Sequence, residues 1–532
     1  MVSQTLPHPL LLHNGIIYTL DQNQPTVPAV LIGNGRILAT GSLEELEKLG
    51  IPRPDSLDLH GRTVLPGLID AHIHLEHYAF ALQKVDCEVP SLDECLKRVR
   101  ARAQLTQPGN WILGHGWNQN EWAEGYPTAG DLDQISHQQP IYLTAKSLHA
   151  GWANSAALQL AGITRDTQDP PGGRIQRNSD GEPSGILFES AMQLINNSLP
   201  QPTAEEAAQA IQLAQSHLWA YGITGAHDFD RSRCFSALQI LREKGLLRLR
   251  VTKSIPMEHL DEAVELGLRS SFGDEWLSIG SVKLFADGAL GPRTAAMLQP
   301  YAGEPENTGI LLIDQEELFE YGRRASEHGI SMAIHAIGDR AIHEVLNAYQ
   351  QLRIYEREQN ISRRRHRIEH VQVIHPQDTA RLAKYGIIAS MQPIHAISDM
   401  DMADRYWGPR AAGAYAWKSQ LEAGARLVFG SDAPVDSPNP FWGLHAAVTR
   451  QKLGRQAAWY PEQSVGIADA LHAYTTGPAY AAGLEQIQGK LLPGFYADLI
   501  VLDQDPFKID PEDLHKLLPI KTMVGGEWVW ES

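Results

Sequence analysis

His72 and His74 stand two residues apart in the run Gly67-Leu68-Ile69-Asp70-Ala71-His72-Ile73-His74-Leu75. On a strand, residues i and i+2 point to the same face. Two imidazoles on one face can share a single cation. Other apolar runs end on residues of the same kind. One ends Ala333-Ile334-His335, another Arg367-Ile368-Glu369-His370, and a third Val428-Phe429-Gly430-Ser431-Asp432. A fourth, Ser281-Val282-Lys283-Leu284-Phe285-Ala286-Asp287, carries a lysine. Four His, one Asp and one Lys at the ends of five apolar runs form a set of metal ligands and acid–base groups. The chain has 22 His against 3 Cys. A transition metal would therefore be held by nitrogen and oxygen rather than sulfur.

These residues need elements that bring them together. Eight candidate strands can be counted, at 64–75, 223–229, 249–255, 279–287, 330–338, 368–373, 387–392 and 427–432. Helical runs such as 316–328, 341–358 and 377–385 separate several of them. The alternation predicts an α/β fold, a (β/α)8 TIM barrel whose chemistry sits at the C-terminal strand ends. A doubly wound sheet is the competitor, but no G-x-G-x-x-G follows any strand. The interval after strand one is too long for one helix, so residues 85–215 form an inserted subdomain of the catalytic domain, 64–486. Short strands punctuated by Asn14-Gly15 and Asn34-Gly35, and a similar style near the end, predict that 1–63 and 487–532 combine into a small composite β-sandwich.

The 532 residues carry 45 Lys and Arg against 63 Asp and Glu, a net charge of −18. That balance argues against nucleic acid or an anionic membrane as the main partner. No stretch approaches the roughly 18 apolar residues of a membrane span, and residues 1–20 do not read as a signal peptide. The cysteines, Cys87, Cys95 and Cys234, form no C-x-x-C pair. An odd count in so long a chain is not a disulfide framework, which points to a reducing, cytoplasmic location.

The order H-x-H, K, H, H, D on strands one, four, five, six and eight resembles the amidohydrolase superfamily. More narrowly, the chain is similar to its amidohydrolase-3 branch, which includes N-substituted formamide deformylases. The branch-specific signs are the stretches 114–122, 149–155, 181–185 and 283–295. The resemblance implies that His72, His74 and Asp432 hold one divalent metal, zinc being the expected ion, and that His335 and His370 hold a second. Lys283 would be carbamylated and bridge the two, because an ammonium has no lone pair to offer. The other reading of Lys283 is a charged barrel lysine paired with Asp287 or another acid. A homodimer is also a family-based expectation.

The activity implied is hydrolysis of a C–N bond, amide or formamide-like, in a small molecule. A metal lowers the pKa of bound water, and the resulting hydroxide attacks the carbonyl. Asp432 takes the proton and hands it to the leaving nitrogen, while a donor such as His149 steadies the oxyanion. Deamination is the nearest rival, but the general-acid Glu expected three residues after His335 is Gly338 here. Ester, lactone or phosphotriester hydrolysis is a further alternative. A non-catalytic binding protein would be expected to lack one or more ligands, and all six positions are filled. His77, Trp117, Asp287, Arg293 and His395 are the expected substrate-binding residues, set around the predicted barrel mouth or in the insertion. His366, four residues before His370, is expected to point inward below the site.

Overall fold

The computed structural model describes residues 9–50, 54–120, 122–147, 149–454 and 457–532. Parts of the predicted terminal domain (1–8 and 51–53), residue 121 of the 114–122 stretch, and residues 148 and 455–456 lie outside them. The chain divides into two compact units, Met1–Tyr78 with Ala204–Ser532, and Ala79–Thr203.

The larger unit holds eight parallel strands: β1 (Leu68–Ile73), β2 (Ile223–Asp228), β3 (Arg250–Pro256), β4 (Leu277–Phe285), β5 (Ser331–Ala336), β6 (Arg367–His370), β7 (Ile388–Met391) and β8 (Leu427–Phe429). Each pairs with its neighbour in chain order. The circle closes just past the end of β8. There the Asp432 N–H donates to the His72 carbonyl at 2.7 Å, and the His74 N–H to the Ala433 carbonyl at 2.9 Å. Asp70 reinforces this seam by accepting from the Ser431 hydroxyl (2.6 Å), the Ser431 N–H (3.0 Å) and the His72 N–H (3.0 Å). Gly430 permits the approach, since a Cβ there would lie 2.4 Å from the His72 nitrogen.

Helices Gln315–Glu327 and Asp339–Glu358 cover the outside of the barrel. Their buried Leu318, Val345, Leu346 and Leu352 share one core with Ile334 of β5 and Ile368 of β6. Both faces of these strands are thus covered, which is why they read as continuous apolar runs.

Three expectations about the elements are revised. The predicted first strand, 64–75, is two strands. Thr63–Pro66 pairs antiparallel with Leu499–Leu502 in the terminal sheet, and the barrel strand starts at Leu68. Gly67 is the joint: its N–H donates to the Asp498 carbonyl at 2.9 Å, and a Cβ there would meet Thr224 Oγ1 at 2.3 Å. Secondly, the compact inserted unit is Ala79–Thr203 rather than 85–215. Helix Ala204–Ala220 buries Ala207, Ala210, Ile211, Ala214 and Leu218 along one stripe and packs on helix Ser232–Glu243 as the crossover into β2. Thirdly, His366 does not point into the barrel. It stacks on Tyr349, and its Nε2 lies 3.1 Å from Glu356 Oε1, both on the outer helix Asp339–Glu358.

Strands from both ends of the chain lie in one hydrogen-bonded sheet, with Glu527–Glu531 at one edge and Arg36–Gly41 at the other. The pairing is continuous, where two facing sheets were expected. The sheet folds over on itself, so that Val30 and Ile37 from one side share a core with Val501 and Met523 from the other. The inserted unit has its own six-stranded sheet. Trp117, Trp122 and Trp152 fill its core beside Cys87 and Cys95.

Candidate metal centre

The strand ends gather the expected ligands on one side of the barrel. His72, His370 and Asp432 each offer a donor atom, and these atoms lie within 4.8 Å of one another. Asp432 Oδ1 is 3.5 Å from His72 Nε2 and 3.4 Å from His74 Nε2. The His335 ring centre is 4.5 Å from that of His370, which is 5.0 Å from that of His72. The tightest trio therefore takes members from both expected sets rather than dividing into His72/His74/Asp432 and His335/His370.

Each imidazole is fixed through its other nitrogen. His72 Nδ1 donates to Glu369 Oε2 at 2.7 Å, His74 Nδ1 lies 3.0 Å from Asp230 Oδ1, and His370 Nδ1 lies 2.9 Å from Gln392 Oε1. His335 uses Nε2 toward the Gly288 carbonyl at 2.9 Å, which leaves Nδ1. A ring whose second nitrogen is held by a carboxylate or carbonyl presents a fixed lone pair, the usual setting of a metal-ligating histidine. This donor set fits a divalent ion.

Electrostatics favour the same reading. Burial draws His72 and His335 down to about 4 and His370 well below the usual imidazole range. Their rings are therefore neutral at working pH, as ligation requires. Burial works against the Asp432 carboxylate, but the surrounding histidines hold its pKa well below the usual range. Burial also opposes a charge on His74, yet Asp230 and Asp432 outweigh it and hold its pKa up at about 10. In the metal-free chain that proton stands where a cation would replace it.

Lys283 is buried, its Nζ 4.7 Å from the ring centre of Phe229 and 5.0 Å from that of Phe285. Burial brings its pKa down from 10.5 to about 8. The alternative pairing with Asp287 is not made. Asp287 is itself buried and accepts from the backbone N–H groups of Ala296, Ile337 and Gly338 at 2.8–3.0 Å. Its expected substrate role is corrected for the same reason, since its oxygens brace the β4–β5 loops.

Of the other expected site residues, Trp117 is fully buried in the inserted unit's core, where its indole N–H donates to the Leu143 carbonyl. It cannot meet a substrate. Arg293 pairs with Glu304 at 2.6 Å and stacks on Tyr406, rather than standing free for an anion. His77 shares Asp230 with His74 and is exposed. His149 belongs to the inserted unit, where it is exposed and paired with Glu189 at 3.0 Å. His395 is buried, with Nε2 4.0 Å from Asp432 Oδ2.

Glu369 and Arg367 were missed. Arg367 donates to Glu369, to the Ala71 carbonyl and to Ser390, and so holds the buried carboxylate that orients His72. Strand parity was the available signal. Arg367 and Glu369 face the interior, and by alternation His370 would face out with Ile368. Positive φ at His370 (76°) and Val371 (45°) breaks the alternation and returns the imidazole to the centre. Asp230 was missed as well, because it lies beyond β2 in a loop.

Residues 55–530 match the Amidohydrolase family model. The chain belongs to that family and is a metal-dependent hydrolase of the amidohydrolase superfamily. It is 34% identical to the Bacillus subtilis protein YtcJ, over 98% of this chain and 99% of that one. It is 31% identical to an N-substituted formamide deformylase of Arthrobacter pascens, over 97% of each. Among solved structures, an uncharacterized metal-dependent hydrolase from Pyrococcus furiosus superposes with a TM-score of 0.78 at 30% identity, covering 94% of this chain and all of that one.

Proposed function

We propose that the protein hydrolyses a C–N bond, amide or formamide-like, in a small molecule. The observation that carries this reading is the convergence of His72, His370 and Asp432 with the imidazoles locked by Glu369 and Gln392. His72, His74, His335, His370 and Asp432 would hold one or two divalent ions, with zinc the preferred identity and carbamylated Lys283 as a shared ligand. A carbamate forms when the neutral Nζ lone pair adds to carbon dioxide and releases a proton. The lowered pKa of Lys283 makes that neutral form accessible. Such an ion lowers the pKa of a water and polarises a carbonyl.

The protein's own residues supply the proton steps. The Asp432 carboxylate accepts the proton released by water as its oxygen adds to the carbonyl carbon. It then gives that proton to the nitrogen, which departs as a neutral amine when the C–N bond breaks. Glu369, Asp230 and Gln392 keep the imidazoles from turning. The 31% identity with a formamide deformylase across nearly the whole chain favours N-formyl or N-acyl amines among substrates.

Deamination is disfavoured by space as well as by sequence. A Cβ at Gly338 would lie 2.0 Å from the Ala296 carbonyl oxygen, so no acid can stand there. The next residue, Asp339, accepts from the Leu298 N–H at 2.7 Å. Metal analysis of the purified protein, combined with a screen of N-formyl and N-acyl amines against matched esters, tests the proposal. Turnover of amides lost on chelation supports it; turnover of esters, lactones or phosphotriesters alone overturns it.

A further inference from the structure

His395 is the third residue of helix Pro393–Trp407, which follows β7 directly. Its ring lies parallel to that of His370, at 6.3 Å and 10°. It is 5% exposed, yet Nε2 makes no hydrogen bond with any described residue. Two carboxylate oxygens face that nitrogen from beyond bonding range, Asp432 Oδ2 at 4.0 Å and Asp436 Oδ2 at 3.7 Å. With acceptors on both sides, the hydrogen belongs on Nε2. Asp436 does not close the gap, because its other oxygen is held by the Ser398 hydroxyl at 3.0 Å. A buried donor left open in this way is rare and calls for an explanation.

Asp432 supplies the direction. Its Oδ1 faces His72 and His74, and its Oδ2 faces His395. The ligand histidines and His395 thus address different oxygens of one carboxylate, so His395 Nε2 stands beside the candidate metal centre without facing the same oxygen as its ligands.

We infer that His395 is a catalytic residue whose Nε2–H donates to the oxygen of the scissile carbonyl. This rests on the amide-hydrolysis reading above. As the water oxygen bonds to the carbonyl carbon, the C=O π pair moves onto the oxygen and the hydrogen bond from His395 strengthens. When the pair returns to re-form C=O, the C–N bond breaks and its electrons leave with nitrogen. His395 keeps its proton throughout, while Asp432 carries the transferred one. The oxyanion role expected of His149 passes in this assignment to His395.

The test uses the metal-loaded full chain with His395→Ala and His395→Gln, assayed on N-formyl and N-acyl amines. Loss of one oxyanion donor lowers kcat by about 10²- to 10³-fold. The expected result for His395→Ala is a kcat loss of that size, KM within a few-fold, and unchanged metal content and cobalt(II) spectrum. His395→Gln, which retains an N–H donor, should recover at least about tenfold of the loss by the same reasoning. A His395→Ala enzyme with wild-type kcat overturns the inference, as does one that loses metal together with activity. His395→Gln no better than His395→Ala also counts against it, and it remains a readable variant if alanine misfolds. A wild-type enzyme inactive on every amine derivative overturns the amide reading and this inference together. An active wild type with an equally active His395→Ala overturns the inference alone.

Discussion

Glu369 and His370 are consecutive residues that both turn toward His72. Glu369 accepts the hydrogen of His72 Nδ1 at 2.7 Å, while the His370 ring centre stands 5.0 Å from that of His72. One residue orients the imidazole, and the next sets a second imidazole beside it in the same candidate donor set.

Glu369→Gln should leave the fold intact and weaken metal binding by about 10- to 100-fold, the usual effect of losing a partner behind a ligand. Competition with a chelator of known affinity measures it. Glu369→Ala should be worse, because Arg367 is left as a buried charge without its partner. Such a loss destabilises by about 3–5 kcal/mol, visible in denaturant unfolding.

The purified protein should carry one to two equivalents of divalent metal per chain, removed by chelation together with activity. Elemental analysis and re-addition of zinc, manganese or cobalt check this. Full activity in a metal-free preparation would end the hydrolase mechanism proposed above.

Lys283→Ala should lower metal content and activity, and a short carboxylate added with metal should restore part of both. The alanine leaves a space where the proposed carbamate stood. The mass of the intact protein, or a crystal structure of the loaded enzyme, shows the modification directly. An unmodified Lys283 beyond hydrogen-bond reach of any metal refutes the bridge.

Asp432→Asn should keep most of the metal, since an amide oxygen can still ligate, but lose turnover. The expected loss is in kcat, by about 10²- to 10⁴-fold, and larger for an amide than for an activated ester, whose leaving group needs no proton. Equal losses on both would show that Asp432 acts only as ligand or on water.

The metal-free protein should have a stability maximum bounded on both sides of neutrality. Burial depresses His72, His335 and His366 to about 4, so the unfolded chain binds their protons first. Their contribution is present above pH 6.5 and lost as pH falls toward 4. His74 is raised to about 10, so its contribution is full below 6.5 and lost as pH rises through 10. Melting temperature against pH, with and without metal, checks the signs. Bound metal should abolish the alkaline limb, because it replaces the proton on His74.

The candidate ligands were legible as residue types because their chemistry is unusual at strand ends and because each follows an apolar run. His72, His370 and Asp432, whose donor atoms the fold brings within 4.8 Å of one another, were singled out that way. What failed was geometry that depends on neighbours distant in sequence. The break at Gly67 is set by Asp498 and Thr224, and the burial of Trp117 by two other indoles in the same unit. Glu369 was hidden by the opposite error. Attention to residue type selected His370, and strict alternation would have selected Glu369; only the left-handed turn at His370 lets both face inward.

The pairing of Thr63–Pro66 with Leu499–Leu502 has a consequence for synthesis. The strand that carries His72 begins at Leu68, with only Gly67 between it and this segment; one partner of the segment, Leu10–Tyr18, is made before it, but the other is made only after all eight barrel strands. Until β8 emerges, the edge of β1 away from β2 has no neighbour, and Asp432 has not met His72. Nascent chains stopped before Leu499 should therefore leave Thr63–Pro66 paired on one side only, and those stopped before Leu427 should also stay protease-sensitive at residues 68–75.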